Sequence, residues 1–275
     1  MPELPEVETT RRELLPAFEG ARFERVTLHR SDLRTTFPRR FRARLEGNEV
    51  TRLSRRAKYL LAHLSSGETL LMHLGMSGSF RVEYDAADTE RDDAGRHDHV
   101  VFEMSSKAKV FFNDPRRFGF MDLVPAGKLD EHPTLSRLGP EPLSAEFDGA
   151  ALAAACRGKK VSLKVALMDQ RVVAGLGNIY VSEALHIARL SPHRKASTIA
   201  TSTGAPREAA HRLAAAIKQV LEEAVSRMTG EIYRASRFRV YDRAGERCRQ
   251  RGCEGSIRRQ TQAGRSTFYC TRCQR

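Results

Sequence analysis

From Ala21 to about Val124 the chain consists of short apolar segments, several of which alternate with polar positions as β-strands do. Gly, Asp and Ser residues separate these segments, so the pattern predicts an antiparallel sandwich or barrel. The polar segment 84–96 is predicted to be a loop. The clearest predicted strands are RFERVTLHR (22–30), KYLLAHL (58–64), ETLLMHL (68–74), HVVFEMSS (99–106) and KVFFN (109–113).

Helical periodicity begins after a Pro-rich segment at 131–144. The segment SAEFDGAALAAACRG (144–158) starts with a Ser and ends with a Gly, which are suitable caps for a helix. Segment 206–228 is the clearest predicted helix, because its apolar residues fall on one face. That face contains Ala210, Leu213, Ala214, Ile217, Val220, Leu221, Ala224, Val225 and Met228.

The first eight residues, MPELPEVE, contain two prolines and three glutamates. Removal of Met1 would leave Pro2 as a secondary amine, and an α-amino group has an ordinary pKa of about 8. Its neutral form can attack an aldehyde-like carbon and give an iminium ion. Glu3 lies beside it, and Glu6 lies one helical turn further on. Proline and acidic residues are also common at helix N-termini, and these residues alone favour that capping role.

Charge narrows the class of partner. The 275 residues include 47 Lys and Arg against 34 Asp and Glu, for a net charge of +13 and a pI of about 10.0. Such a chain is expected to bind a polyanion, most often nucleic acid, although a generally Arg-rich proteome would give the same balance. We expect a cytosolic protein, because the acidic N-terminus lacks a signal-peptide pattern and no apolar run is long enough for a membrane span.

The cysteines in a cytosolic protein are expected to be reduced, and clustered ones are more typical of metal sites than of disulfides. Two close pairs joined by a hairpin-length spacer predict one structural Zn²⁺ with no open coordination position. The last 45 residues contain 12 Arg and only 4 acidic residues, which again favours nucleic acid. Cys156 has no partner nearby and is predicted to be a core residue. The predicted zinc ligands are Cys248, Cys253, Cys270 and Cys273.

A further set of motifs spans nearly the whole chain. The motifs are MPELPEVETTRR (1–12), RRAKYLL (55–61), HLGMSGSF (73–80), HDHV (97–100), DPRRFGF (114–120), LGPEPL (138–143), ALMDQ (166–170), VAGLGNIYVSEAL (173–185) and GRSTFYCTRCQ (264–274). In this order they resemble the bacterial formamidopyrimidine-DNA glycosylases, the Fpg/MutM branch of the Fpg/Nei family. The PELPE start favours this branch over the Nei branch.

The resemblance implies an α+β multidomain fold. It consists of an N-terminal antiparallel β-sandwich with an N-terminal helix (1–125), a linker (126–144), a helix–two-turn–helix domain (145–232) and a zinc-finger β-hairpin (238–275), with DNA in the cleft between domains. The implied activity is that of a bifunctional base excision repair enzyme, a DNA glycosylase with abasic-site lyase activity. Its implied substrate is double-stranded DNA with oxidised purines or abasic sites, and one catalytic set per chain makes a monomer sufficient.

The resemblance also assigns roles to residues. Pro2 attacks C1′ of the damaged nucleotide, and Glu3 acts as acid and base on the sugar. Lys58 contacts DNA and serves β-elimination, whereas Arg265 grips the phosphates at the lesion and serves δ-elimination. The residues implied to fill the gap left by the extruded base are Met76, Arg116 and Phe118. The other implied DNA contacts are the phosphate-binding Asn178, His97 and Lys160.

The chain departs from the family pattern in one place. Between the long helix and RFRVYDR only TGEIYRASRF is present, where the family has a longer Gly-rich loop that covers extruded 8-oxoguanine. We therefore expect a base preference that is broadened or shifted toward formamidopyrimidines. Two other functions remain open at this point: a Nei-like glycosylase for oxidised pyrimidines, and a non-catalytic binder of damaged DNA.

Overall fold

A computed structural model of the chain describes residues 2–84, 95–227 and 238–275. The chain forms two compact units, Met1–Ser136 and Arg137–Arg275. Most of the predicted loop at 84–96, and residues 229–237 of the shortened segment, lie outside the described residues.

The N-terminal unit is a β-sandwich. Within the described residues its strands form two four-stranded antiparallel sheets, ordered β1-β6-β7-β5 and β2-β3-β4-β8. One apolar core contains buried residues from both sheets, such as Phe102 and Leu60, which confirms the predicted sandwich. The elements are α1 (Leu4–Phe18), β1 (Phe23–Leu28), α2 (Phe41–Leu45), β2 (Val50–Arg56), β3 (Tyr59–Leu64), β4 (Thr69–His73), β5 (Ser79–Tyr84), β6 (Asp98–Met104), β7 (Ala108–Asn113) and β8 (Phe120–Val124).

Helix α1 is fixed to this sandwich by its apolar face. Leu4, Val7, Leu14 and Phe18 are buried, and their spacings of three, seven and four residues place them on one helical face. The Phe18 ring packs edge-on against Phe23 and Phe102, with centroids 5.7 and 5.8 Å away. Burial of each such side chain contributes about 2–3 kcal/mol. The chain's N-terminus is therefore held against a rigid core.

The C-terminal unit combines helices with a β-hairpin. Helix α5 packs against α4, α6 and the second hairpin strand, so its two ends have fixed surroundings. The two strands pair antiparallel through a turn at Ala263 and Gly264, which both have positive φ. The elements are α3 (Gly149–Cys156), α4 (Leu163–Met168), α5 (Asn178–Ile187), α6 (Glu208–Arg227), β9 (Ile257–Gln262) and β10 (Arg265–Cys270).

Several sequence predictions can be compared with these elements. The five predicted strands all form, and α6 buries the predicted face from Ala210 to Leu221. Cys156 is buried as predicted. The prediction of a helix start at Ser144 was wrong: α3 begins at Gly149, because the Asp148 carboxylate caps it by accepting a hydrogen bond from the Ala151 amide at 2.8 Å.

None of the described helices is both long enough and apolar enough to span a membrane.

Candidate active site and metal centre

The N-terminus of α1 holds Pro2 beside a buried carboxylate. Glu3 is the N-cap residue of α1 and is only 3% exposed, whereas Pro2 is half-buried. The Glu3 amide donates a hydrogen bond to Glu6 Oε2 at 2.8 Å, as in a capping box. The Glu3 carboxylate in turn accepts from the Glu6 amide, so the helix end fixes the carboxylate that follows Pro2 in the sequence.

Lys58 lies in the tight turn between β2 and β3 and is only 7% exposed. An ion pair connects this turn to α1: Glu8 Oε2 lies 3.3 Å from Arg55 Nε, and Arg55 Nη1 donates to the Ala57 carbonyl at 2.8 Å. Burial raises the pKa of Glu8, but hydrogen bonds from Arg11 and Arg12 and the charge of Arg55 lower it overall. The network is thus ionised at neutral pH and fixes the turn that carries Lys58.

His73 at the end of β4 is electrostatically coupled to Lys58. Burial, together with the nearby charges of Lys58 and Arg34, lowers the pKa of His73 to about 4. The ring is therefore neutral at pH 7, which agrees with its Nδ1 accepting a hydrogen bond from the Gly75 amide at 3.1 Å.

Two loops of the same unit present large apolar side chains to solvent. Met76, between β4 and β5, is 38% exposed, and Phe118, between β7 and β8, is 41% exposed. The Arg116 guanidinium lies 4.8 Å from the centre of the Phe118 ring, a cation–π distance. The half-buried His97 is joined to the second loop, because its carbonyl accepts a hydrogen bond from the Asp114 amide at 3.0 Å. The structure thus brings Arg116 and Phe118 together, and the hydroxyl of Ser77, the residue after Met76, accepts a hydrogen bond from the Arg116 amide at 3.3 Å.

In the C-terminal unit, Asn178 is joined to the strand of the β-hairpin that begins at Arg265. Asn178 is the first residue of α5, and its Nδ2 donates to the Ser266 carbonyl at 2.9 Å. The amide has a second hydrogen that can serve a phosphate, and the first-turn amides of α5 lie beside it. Arg265 is exposed at the start of β10, directly next to Ser266.

Lys164 is a functional candidate that the sequence analysis missed. It is 1% exposed, and its Nζ donates to the Ser266 carbonyl at 2.9 Å and to Thr267 Oγ1 at 2.7 Å. Burial, together with the charge of Arg265, lowers its pKa to about 8. No signal marks one lysine in SLKVALM, since only folding brings it to the hairpin. Lys160, by contrast, is exposed and makes none of the hydrogen bonds or ion pairs found in the described part of the chain.

The four predicted cysteines form a compact cluster. Their sulfur atoms all lie within 4.8 Å of one another, and the Sγ–Sγ distances Cys248–Cys273 and Cys253–Cys270 are both 3.7 Å. Four thiolates around Zn²⁺ at about 2.3 Å would lie about 3.8 Å apart. The residues therefore fit a tetrahedral metal ion.

The surroundings of the cluster support the same fit. The Gln250 and Gly255 amides each donate to a sulfur at 3.4 Å, namely Cys248 and Cys253 Sγ. A Cβ atom on Gly255 would lie 2.7 Å from Cys270 Sγ, so only glycine allows this backbone to approach the sulfurs. His186 Nε2 lies 3.2 Å from Cys248 Sγ and connects α5 to the cluster.

The chain thus combines a β-sandwich unit with a helical unit that carries a four-cysteine β-hairpin, the elements of a helix–two-turn–helix DNA glycosylase. Family models agree: residues 1–121 match the formamidopyrimidine-DNA glycosylase N-terminal domain, and residues 138–236 match the formamidopyrimidine-DNA glycosylase H2TH domain. The chain belongs to the formamidopyrimidine-DNA glycosylase family.

Relatives match the chain over its full length. The formamidopyrimidine-DNA glycosylase of Afipia carboxidovorans is 56% identical over 294 aligned positions, which cover 100% of both chains. Because the chain has only 275 residues, it lacks residues that this relative has. The crystal structure of the Thermus thermophilus MutM (Fpg) protein is 38% identical, with a TM-score of 0.83 over 99% of this chain and 98% of that one. Lactococcus lactis Fpg in complex with abasic-site DNA is 29% identical, with a TM-score of 0.86 over 99% of both chains.

Proposed function

We propose that the chain is a bifunctional DNA glycosylase and abasic-site lyase that removes oxidised purines, formamidopyrimidines and 8-oxoguanine, from double-stranded DNA. The observation that carries the proposal is the start of α1, where Pro2 lies next to the buried Glu3 on a helix fixed to the sandwich core. The family's name and the abasic-site DNA in the complex of the L. lactis relative support the substrate class. The protein would then act on DNA in the bacterial cytoplasm.

Pro2 is the proposed nucleophile after Met1 has been removed. Its secondary amine attacks C1′ of the damaged nucleotide, the bond from C1′ to the base breaks, and the base leaves with a proton. Glu3 supplies and accepts protons at the sugar, so that the ring opens and a cationic iminium forms between Pro2 and C1′. The buried position of Glu3 suits this role, because it shields the carboxylate from water.

The iminium is an electron sink for strand cleavage. Loss of the C2′ proton breaks the bond to the 3′ phosphate, and a second elimination breaks the bond to the 5′ phosphate. We assign Lys58 to the first elimination and Arg265, which is exposed beside Asn178, to the second. Asn178, His97 and Lys160 bind the DNA backbone in this proposal.

Extrusion of a base costs a few kcal/mol and leaves a gap in the helix. Met76 and Phe118 are proposed to fill that gap, because they are large, apolar and exposed, unlike ordinary core residues. Arg116, which lies against Phe118, can then donate hydrogen bonds to the orphaned partner base.

One structural Zn²⁺ is the proposed occupant of the four-cysteine cluster. It would contribute folding energy to the hairpin that carries Arg265, since metal binding and folding are coupled in such small domains. The closed set of four thiolates leaves no position for substrate, so the metal takes no part in the chemistry.

Borohydride trapping on a duplex with one oxidised purine tests the proposal. Reduction of the iminium should give a covalent protein–DNA adduct with the wild-type protein and none with Pro2→Gly. Binding of both proteins to a duplex with a tetrahydrofuran abasic analogue serves as the folding control. An adduct that forms equally well with Pro2→Gly would move the nucleophile elsewhere and refute the mechanism.

A further inference from the structure

Asp114 is a fully buried carboxylate directly before the loop that carries Arg116 and Phe118. Its exposed fraction is 0%. Burial of a carboxylate is unfavourable by several kcal/mol unless hydrogen bonds compensate, so its partners show what the fold uses it for.

The two carboxylate oxygens of Asp114 bind two different loops. Oδ1 accepts a hydrogen bond from Ser77 Oγ at 2.6 Å, and Oδ2 accepts one from the Gly119 amide at 2.7 Å. Ser77 directly follows Met76, and Gly119 directly follows Phe118. One side chain therefore connects the positions next to both exposed apolar residues.

Further hydrogen bonds complete this connection. The Ser77 hydroxyl accepts from the Arg116 amide at 3.3 Å, so the residue after Met76 is bonded directly to the backbone of Arg116 and, through Asp114, to the residue after Phe118. The Asp114 carbonyl accepts from the Arg117 amide at 3.1 Å and from His99 Nε2 at 3.0 Å. Arg117 itself has a φ of +54°, a conformation that costs a non-glycine residue about 1–2 kcal/mol and persists only where neighbouring contacts enforce it.

The two loops also touch through their backbones. Gly75 has a φ of +63°, and a Cβ atom there would lie 2.2 Å from the carbonyl carbon of Phe118 and 2.4 Å from the Gly119 nitrogen. No side chain can be placed between the loops at this point. Met76 and Phe118 thus have little freedom to move independently.

We infer that Asp114 and Ser77 are positioning residues, which hold Met76, Arg116 and Phe118 as one preformed unit for insertion into DNA. The inference rests on the gap-filling role proposed above for those three residues. A unit that is ordered before binding loses less conformational entropy when it enters the duplex. Neither positioning residue needs to contact the substrate.

The test compares Ser77→Ala, Ser77→Thr and Asp114→Asn in the full-length, zinc-loaded protein. Ser77 is half-buried, so its alanine variant should fold normally, and Thr restores the hydroxyl. Ser79→Ala is the matched control, because the exposed Ser79 makes none of the side-chain hydrogen bonds found among the described residues. Excision of an oxidised purine from a duplex is measured under single-turnover conditions, beside cleavage of a single-stranded abasic oligonucleotide, which has no gap to fill.

Ser77→Ala and Asp114→Asn should slow duplex excision by about 10- to 100-fold, the range typical of a displaced positioning contact. Cleavage of the single-stranded abasic site should not change, and Ser77→Thr should recover duplex excision. Equal losses on both substrates, or a loss that Ser77→Thr does not recover, would mean that the pair only maintains the fold. If Asp114→Asn fails to fold, the two Ser77 variants decide.

Variants Met76→Ala and Phe118→Ala separate this inference from the function on which it rests. A duplex with 2-aminopurine next to a tetrahydrofuran abasic site reports insertion, because the fluorescence of 2-aminopurine rises when it loses its stacking partner. No change with Met76→Ala or Phe118→Ala would refute gap filling itself. A change with these two but not with Ser77→Ala would refute only the positioning role. If the residues act as one unit, the double variant Ser77→Ala/Phe118→Ala should lose much less than the two single losses combined.

Discussion

Substitution of Gly75 by Ala should test how closely the loops that carry Met76 and Phe118, which are proposed to fill the gap in DNA, depend on each other. A methyl group at this position would lie 2.2 to 2.5 Å from three backbone atoms of Phe118 and Gly119, and backbone cannot rotate away as a side-chain tip can. Positive φ costs an alanine about 1–2 kcal/mol. Overpacking adds about 1–3 kcal/mol, so we expect the free energy of unfolding to fall by about 2–5 kcal/mol.

Gly127→Ala is the control that isolates the contact. Gly127 lies in the same unit with a φ of +71°, but no atom lies within 4 Å of the point that its methyl group would occupy. Its alanine variant should lose only the 1–2 kcal/mol or so that positive φ costs. Urea unfolding is followed by circular dichroism, because the chain contains no tryptophan. Equal stability losses, or normal duplex excision by Gly75→Ala, would refute the idea that the loops are held by direct backbone contact.

Four further outcomes are expected. Zinc removal by a chelator, or Cys270→Ser, should abolish the metal content and weaken DNA binding; unchanged DNA affinity in metal-free protein would contradict a structural role. Burial lowers the pKa of Lys164 to about 8, so between pH 8 and 10.5 the unfolded chain binds more protons than the folded chain. The free energy of unfolding should therefore rise with pH in this range, and Lys164→Met should flatten that rise in urea titrations. The pKa of Glu8 is lowered in the folded chain, so its contribution to stability is lost as the pH falls below about 4.5, and Glu8→Gln should reduce this acid sensitivity in melting curves. Because the segment at 229–237 is short, base preference should be broadened or shifted toward formamidopyrimidines, so excision opposite cytosine should be no slower for formamidopyrimidine than for 8-oxoguanine; a strong preference for 8-oxoguanine would overturn that expectation.

Local patterns were sufficient to predict the elements with regular periodicity. The strands around Leu60 and Phe102 and the long helix α6 follow directly from their apolar spacing. Strand β2 (Val50–Arg56) was missed, because most of its residues in VTRLSRR are polar Thr, Ser or Arg and only its pairing with β3 makes it a strand. Strands β5 and β8 were missed in the same way, since each depends on a partner distant in the sequence.

In the candidate site, some residues can be predicted from local sequence, whereas others become apparent only in the folded chain. Cysteine spacing alone was sufficient to predict the metal cluster, and the structure brings those four sulfurs together. Met76 and Phe118, by contrast, are residue types that are usually found in protein cores, and only the resemblance to a family indicates another role for them. Lys164 carried no signal, because its contact with Ser266 spans about a hundred residues.

Exposed apolar side chains are not ordered by burial, and this explains the contacts made by the backbones of the two loops. Met76 and Phe118 are exposed, so burial in the protein core, the usual source of side-chain order, does not position them. Order must then come from the residues directly beside them. In this chain those neighbours are a glycine that allows backbone contact and a buried carboxylate that binds both loops. The polar group buried at Asp114 is therefore the counterpart of the apolar groups left exposed on the loops it joins, since its hydrogen bonds supply the order that burial does not.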